Sequence, residues 1–235
     1  MSDVADRDKT SGGDSPGDQP LPADALILLP VRQAVLFPGI TLPLSIARQS
    51  SIAAAQEAVR SQRMLGVVLQ KDESVEQPKP DDLYTVGTTA QILRYVTAQD
   101  GTHHVICRGV NRFRLIEFLP GYSFLVARVE EIGVKEVLTP DIEARVTLLK
   151  ERAREAIQLL ANVPPEIVAA IENVDSPSAL ADFIAGIVDA KPTEKQEVLE
   201  TIDLRERLDK VLALLVQRLQ ILRLSKEINE QTQQS

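Results

Sequence analysis

The sequence predicts an α+β protein, in which a small, partly closed β-barrel precedes an α-helical bundle that ends in a long helix. Short apolar runs separated by turn signals fill residues 24–133, a pattern typical of several short strands. Apolar residues then recur at helical spacing over 134–235. Because aromatic residues make up only 3% of the chain, Leu, Ile, Val and Ala must build most of its core.

Residues 28–46, which read LLPVRQAVLFPGITLPLSI, open the predicted barrel. Their prolines suit sheet edges and turns, because proline has no backbone N–H to donate to a neighbouring strand. Residues 37–40 predict a type II turn, with Pro38 second and Gly39 third. We therefore expect two short strands joined by this turn, the second with Leu42, Leu44 and Ile46 on a buried face.

The rest of the predicted barrel contains one helix and five strands. The helix runs to residue 63 from a cap at Ser50 or Ser51, with Ile52, Ala55 and Val59 spaced along one face. Ile52 and Val59 are predicted core residues. Asp100-Gly101 predicts a hairpin turn. The strands are expected at 65–69, 84–98, 102–111, 113–119 and 122–132.

Four helix starts precede the long terminal helix, which begins near Leu204. Each start has a proline at the first helical position. Proline is favoured there because the N–H that it lacks would have no partner within the helix. They are expected at Thr139-Pro140, Pro164-Pro165, Ser176-Pro177 and Lys191-Pro192. The terminal helix carries a heptad seam that makes five leucines candidates for helix association. These are Leu208, Leu212, Leu215, Leu219 and Leu222.

Composition points to a soluble, cytoplasmic protein with no membrane partner. No apolar run approaches the ~20 residues of a transmembrane helix, and a single cysteine, Cys107, suits a reducing compartment. A net charge of −8 argues against general nucleic-acid binding, which needs a basic surface. Residues 1–23 are predicted to form a disordered tail, since they hold few apolar groups to bury.

No catalytic or cofactor-binding motif is present in the sequence. It has neither GxxxxGK[ST] nor GxGxxG, so neither of these nucleotide-binding loops is expected. His103 and His104 are adjacent on a predicted strand and point to opposite faces, so they cannot jointly bind a metal. Cys107 shares a face with His103, but the further ligands of a zinc site are missing. We expect no enzyme activity, metal or cofactor in this chain.

Four stretches of the chain resemble the N-terminal region of the Lon ATP-dependent protease family. Two lie in the β half: LLPVRQAVLFPGITLPLSIARQSSI (28–52) and VGTTAQILRYVTAQDGTHHVICRGVNRFRL (86–115). Two lie in the helical half: VPPEIVAAIENVDSPSALADFIAG (163–186) and KQEVLETIDLRERLDKVLALL (195–215). The resemblance covers nearly everything after Ala25, in the family's order.

This resemblance implies a PUA-like β domain, a helical bundle and a long helix leading to an ATPase ring. It also implies a non-catalytic domain that recognises unfolded or degron-bearing proteins, delivers them for degradation and supports a hexamer. The ATP and Mg²⁺ site and the Ser–Lys protease dyad would lie in a missing part of the parent. The alternative is a stand-alone Lon-domain protein that binds peptides or ligands. A third hypothesis, an RNA-binding PUA domain, rests on fold analogy alone.

The candidate contact residues lie in and around the 37–40 turn. Leu36, Phe37 and Ile40 are expected to form an exposed apolar patch, which suits capture of unfolded chains. Phe37→Ser is then expected to weaken substrate binding and to leave the melting temperature nearly unchanged. Arg32 and Arg48 are the candidates for steering acidic degrons.

Overall fold

The computed structural model describes residues 19–233, with strands in the first half and helices in the second. The strands in this range are β1 (Ala25–Val31), β2 (Thr41–Ile46), β3 (Leu65–Leu69), β4 (Val86–Thr97), β5 (His103–Phe118) and β6 (Val126–Ile132). The helices are α1 (Gln49–Ser61), α2 (Pro140–Leu159), α3 (Pro165–Asn173), α4 (Pro177–Ile187), α5 (Pro192–Glu200) and α6 (Leu204–Gln233). No helix within 19–233 is long and apolar enough to cross a membrane.

The predicted disordered tail, 1–23, lies outside the described residues except for its last five positions. The Arg63 guanidinium donates to the carbonyl oxygens of Leu21, at 3.1 Å, and Pro22, at 2.8 Å. The Tyr122 hydroxyl donates to the carbonyl oxygen of Pro20 at 3.3 Å. These bonds hold the chain in place before β1 begins.

The six strands form one sheet in the order β2-β5-β4-β3-β1-β6, and β6 also pairs with β5. The strand β5, with 16 residues, pairs with β4 over residues 103–114. Its other edge pairs with β2 over residues 103–108 and with β6 over residues 112–118. Of the described pairings only β1–β3 is parallel. A mixed α+β architecture is therefore confirmed, whereas the PUA-like barrel stays a prediction at this point.

The turn at residues 37–40 has the predicted form. Gly39 has φ +80°, and the Ile40 amide donates to the Phe37 carbonyl at 3.2 Å, as in a type II turn. The flanking strands, however, do not pair with each other, since β1 lies between β3 and β6 whereas β2 pairs with β5. The strand β2 lies at one end of the strand order and pairs with β5, so Pro43 is on an edge strand, where its missing N–H costs little.

The helix α1 differs from its prediction in its cap and in its buried face. It begins at Gln49, and its N-cap residue is Arg48, whose side chain makes no capping bond. Small side chains face the core: Ser51, Ala54, Ala55 and Ala58. The predicted core residue Val59 is 47% exposed. Small residues on this face allow α1 to pack closely on β1 and β3.

In the helical half, the proline-marked starts are confirmed. Thr139 and Ser176 cap α2 and α4, with hydroxyls that accept from the amides of Ile142 and Ala179. The helix α6 packs along α2 and α4. The apolar core includes residues from both halves of the chain, so the predicted regions 24–133 and 134–235 share one hydrophobic cluster.

Candidate functional site

Leu36 and Phe37 are core residues, which corrects their prediction as an exposed contact patch. They are 2% and 0% exposed. The backbone around them is bonded to the sheet, since Thr88 Oγ1 donates to the Leu36 carbonyl at 2.6 Å and the Gly39 amide to the Gly109 carbonyl at 2.9 Å. A Cβ on Gly109 would lie 2.2 Å from the Phe37 carbonyl oxygen, so glycine allows this close approach.

Ile40 lies at the junction of the two halves of the chain. Its side chain is half-buried and packs against Gly186 of α4, where an added Cβ would lie 3.1 Å from Ile40 Cγ1. The three apolar candidates from the turn therefore do not form an exposed patch. Of residues 37–40, Gly39 is exposed, whereas Phe37 is buried and Ile40 is half-buried.

The leucine seam of α6, whose five residues are the candidates for helix association, packs inside its own bundle. Leu208, Leu215 and Leu219 are 1%, 4% and 2% exposed. Leu212 and Leu222 are partly buried and contact the same core. The exposed apolar residues of α6 are instead Ile221, Leu224 and Ile228, which are 47%, 57% and 53% exposed.

Arg32 and Arg48, the two predicted steering residues, line one open groove next to the N-terminus of α1. The groove has a volume of about 710 Å³. We call it the basic groove, and define it by its charged residues Arg32, Arg48, Glu76 and Lys79 and its apolar residues Leu28, Pro30, Pro78, Tyr122, Phe124 and Leu125. Four separate segments of the β half contribute to it, around residues 28–32, 47–50, 76–79 and 122–125, so sequence spacing could not predict it.

Arg48 is held from beneath by a buried glutamine. Its Nη2 donates to Gln70 Oε1 at 2.6 Å, and Gln70 is 2% exposed. Gln70 Nε2 in turn donates to the carbonyls of Asp72 and Val75, at 2.6 and 2.5 Å. Burial lowers the pKa of Arg48, Arg32 lowers it further and Glu76 opposes them. Within 19–233, Arg48 Nε is buried without a hydrogen-bond partner.

Tyr122 and Phe124 give the basic groove an aromatic wall. Their rings stack with centroids 6.1 Å apart and planes inclined by 19°. The chain contains only eight Phe and Tyr residues in 235, so this pair concentrates a quarter of them at one groove.

A second concave surface lies between α2, α3, α4 and α6, and its character is apolar. This bundle pocket has a volume of about 360 Å³. Two rim residues, Leu160 and Ile187, are each 43% exposed, and Arg218 Nη1 lies 3.2 Å from Asp189 Oδ2 nearby. Its apolar lining includes Ile157, Leu160, Ile167, Ile171, Ile184, Ile187, Leu215 and Leu222.

Sequence reasoning missed the bundle pocket. The signal in the sequence is that α3 and α4 are short helices with apolar residues on more than one face. A helix that packs on a core through a single face needs only one apolar stripe. Their packing partners depend on tertiary contacts, however, so the sequence could not show which face stays open.

The histidine and cysteine residues show no arrangement for metal binding or thiol chemistry. The described residues contain no cluster of three or more His, Cys, Asp or Glu groups that could hold a metal. Cys107 is fully buried, and burial raises the pKa of its thiol to about 11, so the reactive thiolate is scarce near neutral pH. His103 Nδ1 lies 2.6 Å from the Tyr95 hydroxyl.

Comparison with known proteins gives one consistent family. The family model described as "ATP-dependent protease La (LON) substrate-binding domain" matches residues 25–217. The Lon protease of Methylocella silvestris is 50% identical over 212 residues, which cover 90% of this chain and 26% of that protein. The Lon protease of Phenylobacterium zucineum is 50% identical over 220 residues, covering 93% of this chain and 28% of that protein. The chain thus spans about a quarter of these relatives' length.

Solved structures share the fold at lower identity. The N-terminal domain of the Mycobacterium avium complex Lon protease aligns with a TM-score of 0.65 at 23% identity, over 82% of this chain and 98% of that one. The Lon N-terminal domain protein from Xanthomonas campestris aligns with a TM-score of 0.58 at 20% identity, over 80% of this chain and 97% of that one. The family match over residues 25–217 shows that the chain belongs to the family of Lon substrate-binding domains.

Proposed function

We propose that this chain recognises unfolded or degron-bearing proteins and delivers them to the ATPase and protease parts of a Lon protease. The family match supports binding of protein substrates, and the relatives' greater length leaves room for the catalytic parts. The observation that carries the proposal is the bundle pocket, an apolar cavity open at the surface of the helical half.

The bundle pocket suits a large apolar side chain of a substrate that has lost its fold. Its volume of about 360 Å³ lies within the ~300–1,000 Å³ range of ligand pockets. Transfer of one Leu, Ile or Phe side chain from water contributes about 1.5–3 kcal/mol. Such a contact is weak and tolerant of sequence, which is what binding of many different unfolded chains requires.

Replacement of the two exposed rim residues tests this proposal. We expect Leu160→Ser together with Ile187→Ser to weaken binding of a reduced, unfolded model protein by at least about tenfold, because two apolar contacts are lost. Both side chains are 43% exposed, so thermal unfolding should change little. Fluorescence anisotropy of the labelled model protein measures the affinity.

Ile116→Ser is the matched control, since Ile116 is 61% exposed and lies on β5, outside the bundle pocket. It should bind the unfolded protein normally. Equal affinities for the rim variant and the control would assign substrate binding to another surface.

We propose in addition that the chain has no catalytic role and acts in the cytoplasm, as part of a hexamer built with the parent's other domains. ATP and Mg²⁺ would then bind only to the missing ATPase part. The return of β6 to β5 supports a PUA-like barrel in the first half. Thermal unfolding of this chain should be unaffected by ATP with Mg²⁺, whereas a ligand of the folded state would raise the midpoint.

A further inference from the structure

The basic groove concentrates positive charge in a chain whose net charge is −8. Arg32, Arg48 and Lys79 line it, with Glu76 as the carboxylate among its lining residues. The ion pairs of the described residues include none of these three cations. Positive charge without a carboxylate partner is therefore available to a ligand at this place.

We propose that the basic groove binds acidic segments of protein substrates, separately from the bundle pocket. Carboxylates of the segment contact Arg32, Arg48 and Lys79, and a neighbouring apolar side chain packs on Tyr122 and Phe124. The identification of the ligand as a substrate rests on the proposed function above, whereas the chemistry of the groove does not.

A hydrogen bond to the buried Gln70 side chain holds the Arg48 guanidinium in a defined position in the basic groove. Gln70 is buried, receives the Arg48 Nη2 hydrogen bond at 2.6 Å and is itself fixed by two backbone carbonyls. This network engages Nη2 with neutral oxygens and leaves the guanidinium without an ion pair, although the Glu76 carboxylate is near enough to act against the lowering of its pKa. A carboxylate entering the groove would meet a positioned cation, so little side-chain entropy is lost on binding.

The apolar wall favours a polypeptide over a small anion. Pro30, Pro78, Tyr122 and Phe124 line the groove together with the cations, so both apolar and acidic groups find partners. Its volume of about 710 Å³ lies in the upper part of the ~300–1,000 Å³ range for ligand pockets. A short extended segment with carboxylates beside one apolar residue matches this combination.

A nucleic acid fits the same groove less well. The two aromatic rings stack on each other at 6.1 Å, so each offers at most one face to a base. Glu76 faces the groove, and the chain's net charge of −8 repels a polyanion over longer distances. A peptide with a few carboxylates meets much less of this repulsion.

Anisotropy with two labelled ten-residue peptides tests the proposal on the whole chain. One peptide carries four Asp or Glu residues around a single Phe, and the other has Asn and Gln at the same positions. We expect the acidic peptide to bind at least about tenfold more tightly than the neutral one, since only it can pair with the groove cations. This preference should shrink as salt rises from about 0.05 to 0.5 M.

Reversal of charge in the groove should remove the preference. We expect the double variant Arg32→Glu, Lys79→Glu to bind the acidic peptide at least about tenfold more weakly, because electrostatic repulsion replaces attraction. Both side chains are exposed, so the fold tolerates the change. Arg108→Glu with Lys135→Glu is the matched control: it makes the same charge change at exposed positions outside the groove and should bind normally.

Three outcomes would overturn the proposal: equal binding of the two peptides, equal loss in the groove and control variants, or tighter binding of single-stranded RNA than of the acidic peptide. A chain that binds the acidic peptide only after deletion of residues 1–18, which contain five Asp residues, would assign the groove to that segment instead of to substrates.

Binding of the unfolded model protein to the Leu160→Ser, Ile187→Ser variant distinguishes failure of the groove proposal from failure of the proposed function. If the unfolded protein still binds through Leu160 and Ile187 while the acidic peptide fails, only the groove proposal is wrong.

Discussion

Phe37 illustrates how a single side chain changes role between sequence and structure. The residue follows an apolar run and opens a proline-glycine turn, which favours exposure by sequence criteria. Its ring is fully buried. The Thr88 hydroxyl of β4 donates to the Leu36 carbonyl, and the Gly39 amide donates to the Gly109 carbonyl of β5. The turn therefore carries an aromatic core residue into the sheet, and any effect of Phe37 on substrate binding would follow from folding.

We expect Phe37→Ser to lower the free energy of unfolding by about 3–5 kcal/mol, because removal of a buried aromatic ring leaves a cavity lined by apolar atoms. Urea denaturation followed by circular dichroism measures the change. Ile116→Ser, at a position 61% exposed, serves as the control and should shift the midpoint little. A midpoint for Phe37→Ser equal to that of the control would place the ring outside the core.

At the scale of elements, a buried ion cluster joins β5, α4 and α6. Arg112 makes two hydrogen bonds of 2.7 Å to Asp182, and Arg207 Nη1 donates to the same carboxylate at 3.0 Å. All three side chains are at most 3% exposed. Burial lowers the pKa of Arg207, Asp182 opposes this and Arg112 adds to it. One carboxylate thus orients a strand of the first half against two helices of the second.

Asp182→Ala should cost about 3–5 kcal/mol of folding free energy, since two buried guanidinium groups lose their carboxylate. Urea denaturation at neutral pH measures it. Glu172→Ala breaks the exposed pair with Arg154 and should have little effect, because solvent screens such pairs. Similar midpoints for the two variants would mean that Asp182 does not join the two halves.

The elements that could be predicted are those with local causes. Thr139 and Ser176 cap helices, Gly39 sets a turn and Asp100-Gly101 closes a hairpin, and each acts through neighbours in the sequence. The strand order, the burial of Phe37 and the Arg112–Asp182 contact involve residues far apart in the chain. Of the candidate site, Arg32 and Arg48 were found as single residues, but the groove that contains both depends on tertiary structure.

At the scale of the whole molecule, α6 packs in the bundle over its first part and extends away from it over its last part. Its 30 residues extend about 45 Å, and its leucine seam is buried as far as Leu219. Past Leu222 the described side chains of α6 are all exposed, including Leu224 and Ile228. Residues three or four apart lie on one helix face, so Leu224 and Ile228 form an apolar stripe with Ile221. This stripe is where α6 can contact another chain or domain.

Weak self-association through the end of α6 is the prediction at this scale. We expect the chain to form dimers with increasing concentration in sedimentation equilibrium, and Leu224→Lys with Ile228→Lys to abolish them, because the apolar stripe becomes charged. Val137→Lys with Leu138→Lys is the control, since these residues are 67% and 63% exposed in the loop before α2. A monomer at all concentrations, or equal dimerisation of both variants, would show that the stripe is not an association surface of this chain.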